Sequence, residues 1–574
     1  RDHNAWKVFV ERCKSELSFD PQKEGALKGI ENFANHTTSG WHAVWERFCE
    51  APLLYPTIPK KIRSLPPPTS IFWHSSELGY EGWPQWNDEQ EQILSTELQH
   101  LAQLPYDEAK KKLLILERDH EKRRALVWAK LGEAPFACAL EHLARIAQIT
   151  DGNSASGTVQ ELAKNYQEHG WRADEAALKA LSFARKANES EVISAVLRAV
   201  YLPWLEHTSR YLQDLVEKSS YPGGDFMHAK SYDYMQGECV LFVDGLRFDL
   251  AKRLAASLGQ SGYAVTEEIT WAALPSVTAT GKPAVSPVKN TFQGYECNPE
   301  FEPSLAETST GQSGGYYLNK MLTYQGWEVL DNRDKGNSQG NAWVECGNID
   351  MFGHTHGAKL VHYVDGELEA IRDRITELFA AGWKCVHVVT DHGWLLMPGG
   401  LPSIELPTQL VETKWSRCAL LKQGAQTQDM LFPWFWNPNC YIALADGVRC
   451  YRRGEEYAHG GLSLQECLTL HLKVEAQAAQ QAFSPCITQI RWKGLRCTVS
   501  TENARAGILC DLRTEPGNPS SSLVEHPRPL KEDGSVSLVV EDEDFEGKDA
   551  MIVLLDENNT LLVQRSTVIG GGSV

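Results

Sequence analysis

Three patterns of apolar and polar positions follow one another along the chain. Up to about residue 220 the period is helical. In 107–131, which has neither Pro nor Gly, Leu113, Leu116, His120, Arg124 and Val127 recur on one side at helical spacing. The same reading predicts helices over 135–150, 173–187 and 189–202. The stretch 51–70 interrupts them with Pro52, Pro56, Pro59, Pro66, Pro67 and Pro68. It is expected to be extended, because proline removes a backbone donor and restricts the residue before it. Trp73, Trp83 and Trp86 are expected to pack between helices rather than to form a platform for bases.

Past the breaker cluster Tyr221-Pro-Gly-Gly-Asp225 the pattern changes. Short apolar runs appear that look like buried parallel strands: Cys239-Val-Leu-Phe-Val243 and Cys385-Val-His-Val-Val389. Asp-Gly follows the first at once, and Asp-His-Gly follows the second after one residue. Phe248, Leu250, Ala251, Leu254 and Leu258 mark a helix over 247–258. Leu368, Ile371, Ile375, Leu378 and Phe379 mark another, and 462–472 reads as a third. Strands alternating with helices predict an α/β domain with a mainly parallel sheet, whose ligands bind beyond the carboxyl ends of the strands. From about 484 onward the period is two: Leu495, Cys497 and Val499, then Val536, Leu538 and Val540. The runs 551–555 and 561–564 flank a hairpin signal at 556–559. A small antiparallel β-sandwich without chemistry is expected there.

The 574 residues are 42% hydrophobic and 23% charged, which excludes a disordered chain, a collagen and a coiled coil. No run of about 18 apolar residues predicts a membrane span, and no charged-then-apolar leader opens the sequence. The chain begins at Arg1 rather than Met, which suggests a piece of a longer protein. Gly570-Gly-Gly-Ser573 reads as an expression scar. With 56 basic against 75 acidic residues the net charge is −19, which argues against a surface that coats polyanions and leaves room for one local basic groove. The 14 cysteines form no CxxC pair and read as reduced core residues of a cytosolic protein. Any metal must then be held by histidines and carboxylates.

Such residues gather at the predicted strand ends. Asp244 ends one strand, and Asp391 and His392 end the other, with Gly393 permitting the turn that lets both reach one ion. A helix-capping role for Asp244 is the plain alternative. In Asp350-Met-Phe-Gly-His-Thr-His-Gly357 the four-residue spacing of Asp350 and His354 aims a carboxylate and an imidazole at one cation. His356 is a rival, and Gly353 and Gly357 imply tight turns. His459 stands in a loop before two glycines. Leu274-Pro-Ser-Val-Thr-Ala-Thr-Gly281 offers Ser276, Thr278 and Thr280 as hydroxyl nucleophiles, each of which needs a base or a metal for activation. Together these residues supply ligands for two divalent cations and a nucleophile for an in-line displacement. His and Asp without Cys suit zinc, ahead of manganese or magnesium.

The ordered set Asp-Gly-x-Arg, Pro-x-x-Thr, Asp-x-x-Gly-His-x-x-Gly, Asp-His-Gly and a late His resembles the alkaline phosphatase superfamily, particularly its nucleotide pyrophosphatase/phosphodiesterase branch. The phrases Leu274-Pro-Ser-Val-Thr278, Asn348-Ile-Asp350, Val389-Thr-Asp-His-Gly393 and Tyr457-Ala-His-Gly-Gly-Leu-Ser463 resemble the PglZ-domain family still more closely. PglZ proteins are components of bacterial BREX phage-defence systems, beside a DNA methyltransferase and ATPases. The resemblance implies one metal on Asp350, His354 and His459, and another on Asp244, Asp391 and His392 with the hydroxyl of Thr278. Thr278 is implied as the nucleophile because it stands three residues after Pro275. Ala-Thr-Gly follows it, not the Phe-Pro-Asn of the nucleotide pyrophosphatases, so nucleotide specificity does not transfer. The active-site arginine of alkaline phosphatases has no counterpart, which favours diesters. No sulfatase signature is present. Lys282, Lys414, Arg417, Arg452 and Arg453 lie near the motifs in sequence. The first three are candidate substrate contacts, and exposed surface charge is the plain alternative for each.

The expected architecture is thus an all-α region over 1–222, an alkaline-phosphatase-like PglZ domain over 223–482 and a β-sandwich over 483–574. Insertions 283–345 and 394–456 are expected to cap the metal site, and the aromatic run Phe432-Pro-Trp-Phe-Trp436 to pack inside the cap. The expected function is a cytoplasmic, zinc-dependent phosphodiesterase, with nuclease action on DNA or a nucleotide as a candidate, acting with other BREX components and no membrane. A zinc-stabilised scaffold of a BREX complex and a phosphomonoesterase are the alternatives.

Overall fold

A computed structural model describes residues 3–66, 80–152, 155–306, 315–331, 333–427, 429–476, 486–502, 507–531, 533–540, 542–556, 559 and 561–571. Pro67, Pro68 and Trp73, residues 557–558 of the hairpin signal, and Gly572 and Ser573 lie outside the described residues. The chain forms two compact units, Arg1–Glu475 and Ala476–Val574.

The first unit is α/β around a six-stranded mixed sheet. Its strands are β1 (Glu238–Phe242), β2 (Tyr263–Trp271), β3 (Trp327–Leu330), β4 (Asn341–Glu345), β5 (Cys385–Val389) and β6 (Leu468–Ala476). Their order across the sheet is β2-β6-β5-β1-β4-β3. β3, β4, β1 and β5 pair in parallel, while β6 runs antiparallel to β5. Every residue of β1 and β5 is buried, as their apolar runs predict, and Glu238 and His387 are buried with them. The helix expected over 462–472 is a correction. Only Leu464–Cys467 is helical, and β6 follows. The apolar residues Leu468, Leu470, Leu472 and Val474 recur at period two, which fits a strand better than a helix.

Helix α1 (Phe248–Gln260) follows β1, α2 (Thr278–Val285) follows β2, and α3 (Ile349–His356) follows β4. Helix α4 (Val364–Ala380) leads into β5. The stretch 283–345 is not merely a cap, because it supplies β3 and β4 to the sheet. The stretch 394–456 forms an antiparallel sheet of Met430–Trp434, Asn437–Leu444, Cys418–Leu421 and Val411–Lys414. A disulfide between Cys297 and Cys440, with Cα atoms 5.5 Å apart, ties the two stretches together. It corrects the expectation that all cysteines are reduced. CxxC spacing gives no warning of a pair 143 residues apart.

The N-terminal part is helical as expected, with differences at the breaks. The helix Tyr106–His120 ends in a 3-10 turn, Glu121–Ala125. There Arg123 turns inward to donate to Glu91 at 2.8 Å. A helix over Leu202–Lys218 goes beyond the predicted set. Over its described residues, 51–66, the proline-rich stretch is not extended: Pro52–Leu54 is a 3-10 turn and Thr57–Arg63 an α-helix. Pro52 opens its turn and Pro59 sits in the first turn of its helix, where a backbone N–H has no intrahelical acceptor to lose. One buried apolar cluster joins Leu94, Leu140 and Val196 of the helices to Val240, Val386 and Leu470 of the sheet.

The second unit holds two antiparallel sheets, one of three strands and one of four. Ile490, Val499 and Leu538 from the first share a core with Leu512, Ile552 and Leu554 from the second. No described helix is long and apolar enough to cross a membrane.

Candidate metal centre

The sheet delivers two acidic turns side by side. β1 and β5 pair in register, Phe242 opposite Val389, so Asp244 and Asp391 emerge together from their carboxyl ends. Gly245 turns the first chain with φ +68°. Its N–H lies 3.5 Å from Asp391 Oδ1, which also accepts from the His392 N–H at 3.1 Å. His392 Nδ1 lies 3.0 Å from the Gly393 carbonyl, and a carbonyl only accepts, so this nitrogen donates. The bare Nε2 then faces Asp244 Oδ1 at 3.6 Å, Asp391 Oδ2 at 3.7 Å and Thr278 Oγ1 at 3.2 Å. Thr278 Oγ1 also lies 3.4 Å from Asp244 Oδ1.

Helix α3 brings the second group. Asp350 and His354, one turn apart, share a face. His354 Nε2 is 3.5 Å from Asp350 Oδ2, and His459 Nε2 is 3.4 Å from Asp350 Oδ1. The two Nε2 atoms are 2.9 Å apart. His459 Nδ1 donates to the Ser276 carbonyl at 3.0 Å, which leaves its Nε2 bare as well. A cation with bonds of about 2.0–2.1 Å to N and O ligands spaces them about 3.3 Å apart at tetrahedral angles. The observed separations scatter about that value. Two sets of donor atoms converge, Asp350 with His354 and His459, and Asp244 with Asp350 and His392. Asp350 therefore belongs to both. The His392 and His459 rings stack between them, with centroids 4.0 Å apart.

Electrostatics match a missing positive charge. Burial, then the neighbouring Asp391 and Asp350 carboxylates, pushes the Asp244 carboxyl far above its ordinary range. Burial and Asp350 raise Asp391 to about 7. Burial also pushes Asp350 upward, but the imidazoles of His459, His392 and His354 outweigh it and hold the carboxyl below its usual value. Burial, with His392 beside it, lowers His459 to about 4, and burial lowers His354. Asp391 Oδ2 is buried with no hydrogen-bond partner. An ionised carboxylate oxygen in that position is costly unless a cation meets it, so this donor set fits divalent metal.

The structure separates the rival hydroxyls. Ser276 Oγ donates to the Gly461 carbonyl at 2.8 Å and accepts from the Gly460 N–H at 3.2 Å. Thr280 Oγ1 donates to the Phe301 carbonyl at 2.8 Å and accepts from Trp434 Nε1 at 3.0 Å. Both are buried. Thr278, the first residue of α2, presents its hydroxyl to Asp244 and His392. His356 stacks on Tyr363, with centroids 5.0 Å apart, and falls in neither donor set. Lys282, one turn beyond Thr278 on α2, pairs with Glu345 at 2.6 Å. The Lys414 carbonyl accepts from Arg452, and both residues line a cavity with Thr408 and Tyr451. Arg417 requires correction as a substrate contact. It is wholly buried, donates to both oxygens of Glu466 at 2.8 and 3.0 Å, and donates to two backbone carbonyls. Its charge holds the fold.

Several positioning residues escaped the sequence reading. The Tyr457 hydroxyl donates to Asp350 Oδ1 at 2.8 Å. Gly353, expected in a tight turn, lies within α3. A Cβ there would come within 2.3–2.5 Å of the Tyr457 ring. At Gly281 a Cβ would lie 2.7 Å from Asp391 Cβ, so this glycine sets how closely α2 approaches the strand end. Trp434 and Trp436 donate to the Thr280 hydroxyl and carbonyl, each at 3.0 Å, and clamp α2 from behind. Glycines inside helical motifs were the available signal. The tyrosine and tryptophans carried none, because their partners are distant in sequence.

No family model matches this chain, and no curated protein matches it. Among solved structures it is similar to the murine ectonucleotide pyrophosphatase/phosphodiesterase 5, with 12% identity and a TM-score of 0.27 over 41% of this chain and 87% of that one. It is also similar to the phosphonoacetate hydrolase of Sinorhizobium meliloti 1021, solved in complex with phosphonoacetate. That match has 10% identity and a TM-score of 0.29 over 43% of this chain and 91% of that one.

Proposed function

We propose that the chain is a metal-dependent phosphodiester hydrolase of the alkaline phosphatase type, a PglZ-domain component of a bacterial phage-defence system. The observation that carries this reading is the setting of Thr278. Its hydroxyl lies 3.4 Å from Asp244 and 3.2 Å from His392 Nε2, at the edge of two donor sets that share Asp350. In this reading Asp350, His354 and His459 hold one divalent cation, and Asp244, Asp391 and His392 hold another. Zinc suits the imidazole and carboxylate donors. Bound there, the metals supply Lewis acidity and lower the pKa of a coordinated hydroxyl.

The residues of the chain then have defined tasks. Asp244 and His392 position Thr278 Oγ1 for in-line attack on phosphorus. The hydroxyl proton passes to solvent water as the new P–O bond forms, and the ester P–O bond breaks on the opposite side, its oxygen taking a proton from water to leave as the alcohol. A phosphothreonine remains, and water cleaves it in a second in-line step to return Thr278. Tyr457 fixes the orientation of Asp350, and Ser276 and Gly393 fix the two imidazoles through their carbonyls. The substrate is an ester of phosphate, with DNA or a nucleotide as the candidate class. BREX methyltransferase and ATPases are the proposed partners, and the cytoplasm is the proposed setting.

The test is hydrolysis of a chromogenic phosphodiester beside its monoester, by wild type and Thr278→Ala, after chelation and after zinc is restored. Diester turnover that needs both zinc and Thr278 is the expected result. Two equivalents of bound zinc with no turnover of either ester would instead assign the centre to a scaffold. Turnover surviving in Thr278→Ala would remove the nucleophile.

A further inference from the structure

A second cluster of metal-ligating side chains lies where the parallel strands begin. Glu238 is the first residue of β1, Cys385 the first of β5, and the two pair directly across the ladder. His387, two residues on, points to the same face of β5 as Cys385. Asp244 and Asp391 each lie six residues further along, about 20 Å away at about 3.3 Å per strand residue. The cluster is therefore independent of the centre described above.

His387 Nε2 lies 3.4 Å from Cys385 Sγ and 3.2 Å from Glu238 Oε2. The three donor atoms lie within 4.8 Å of one another, and all three residues are buried. Hydrogen bonding alone serves this arrangement poorly. One ring nitrogen carries at most one proton. If Nε2 donates to Glu238, the thiol has no acceptor on this nitrogen; if it accepts from the thiol, Glu238 Oε2 keeps only the Met235 N–H, which donates to it at 2.9 Å. A cation bonded to all three removes the conflict. With bonds of about 2.3 Å to sulfur and about 2.0–2.1 Å to nitrogen and oxygen, tetrahedral angles place S and N about 3.6 Å apart and N and O about 3.3 Å apart. The observed 3.4 and 3.2 Å lie close to those lengths.

The surroundings suit a ligating imidazole. His387 Nδ1 lies 2.9 Å from His471 Nε2, and His471 is itself 95% buried, at 5% exposure. Where His387 Nδ1 donates across this contact, its Nε2 is left for the cation. The rings of Tyr234 and Tyr232 pack edge-on against His387 and His471.

We propose that Glu238, Cys385 and His387 form a separate site for a thiophilic divalent cation of the zinc class, bonded to Oε2, Sγ and Nε2. The sulfur excludes magnesium and calcium, which take oxygen donors. The cation cross-links β1 and β5 at the ends opposite the Asp/His centre, and the thiol loses its proton on binding.

Cobalt(II) is the probe, because thiolate-to-cobalt charge transfer absorbs in the near ultraviolet and the Asp/His centre contains no sulfur. The full chain is stripped of metal with chelator and titrated with cobalt. The expected result is a charge-transfer band whose final intensity corresponds to one thiolate-bound cobalt per chain, which disappears in Cys385→Ser and persists in Asp350→Asn. Absence of the band in cobalt-loaded wild type would overturn the proposal, and so would a band that survives Cys385→Ser. Should Cys385→Ser fail to fold, Glu238→Gln decides. It keeps the thiol, and its band is expected to need at least about tenfold more cobalt. An unchanged titration would overturn the site.

Discussion

Replacing Gly353 by alanine sets two effects of opposite sign against each other. In an open helix the change stabilises by about 0.8–1.0 kcal/mol, through backbone entropy and propensity. In α3 the new methyl would stand 2.3, 2.4 and 2.5 Å from three atoms of the Tyr457 ring. That ring is 3% exposed, packs on Trp394 with centroids 5.1 Å apart, and is tethered through its hydroxyl to Asp350. It has nowhere to move without losing the tether. Overpacking of this kind costs about 1–3 kcal/mol, so the metal-free variant is expected to be as stable as wild type or up to about 2 kcal/mol less so. The larger effect falls on the metal. Loss of a hydrogen bond to a ligand costs about 10–100-fold in affinity, which is about 1.4–2.8 kcal/mol at 1.4 kcal/mol per decade. Denaturant unfolding of the chelated protein reads the first quantity, and zinc titration against a competing chelator reads the second. Tyr457→Phe removes the hydroxyl without adding the methyl, and should reproduce the affinity loss alone. A Gly353→Ala protein more stable than wild type, with wild-type zinc affinity, would refute the account of how Tyr457 seats Asp350.

Other outcomes follow from the same geometry. Thr278→Ala is expected to lower diester turnover by about 10³-fold or more while zinc stays bound, and activity assays beside metal analysis check this. Zinc affinity is expected to rise with pH through about 7. The Asp391 carboxyl, raised to about 7, and the Asp244 carboxyl, pushed far above its ordinary range, hold protons that the cation must displace, whereas His459, lowered to about 4, is already neutral there. In Asp391→Asn the rise should become shallower while the share due to Asp244 remains, and zinc titrations from pH 5 to 8 that match wild type would refute the role of Asp391. Arg417→Met should destabilise the fold by about 3–5 kcal/mol, because Glu466 is left buried and unpaired. A raised KM with unchanged unfolding would return Arg417 to the substrate.

Much of the candidate site was legible because its chemistry sits in short local phrases. Asp244-Gly and Asp391-His-Gly follow short, largely apolar runs, which read as buried strands with their turns at one edge. Asp350 and His354 share a helix face by spacing alone. Local sequence also carried the α/β alternation, the N-terminal helices and the period-two pattern of the last hundred residues. It misled where proline can open a helix as well as forbid one, as at Pro52 and Pro59. It also misled where an apolar run of period two stood beside a helical start, as in Leu464–Cys467 and β6.

Only the tertiary structure decided among chemically equal residues. Ser276, Thr278 and Thr280 are alike in sequence, but two of them spend their hydroxyls on Gly461, Phe301 and Trp434, and Thr278 does not. Arg417 reads as a phosphate contact until Glu466 is found 49 residues away across a buried pair. The Cys297–Cys440 bridge and the Glu238, Cys385 and His387 cluster likewise join residues far apart along the chain. The physical reason is the same throughout. Periodicity and turn chemistry act over a few residues, whereas hydrogen-bond saturation, ion pairing and metal geometry are settled by whichever side chains the sheet and its connections bring within about 4 Å.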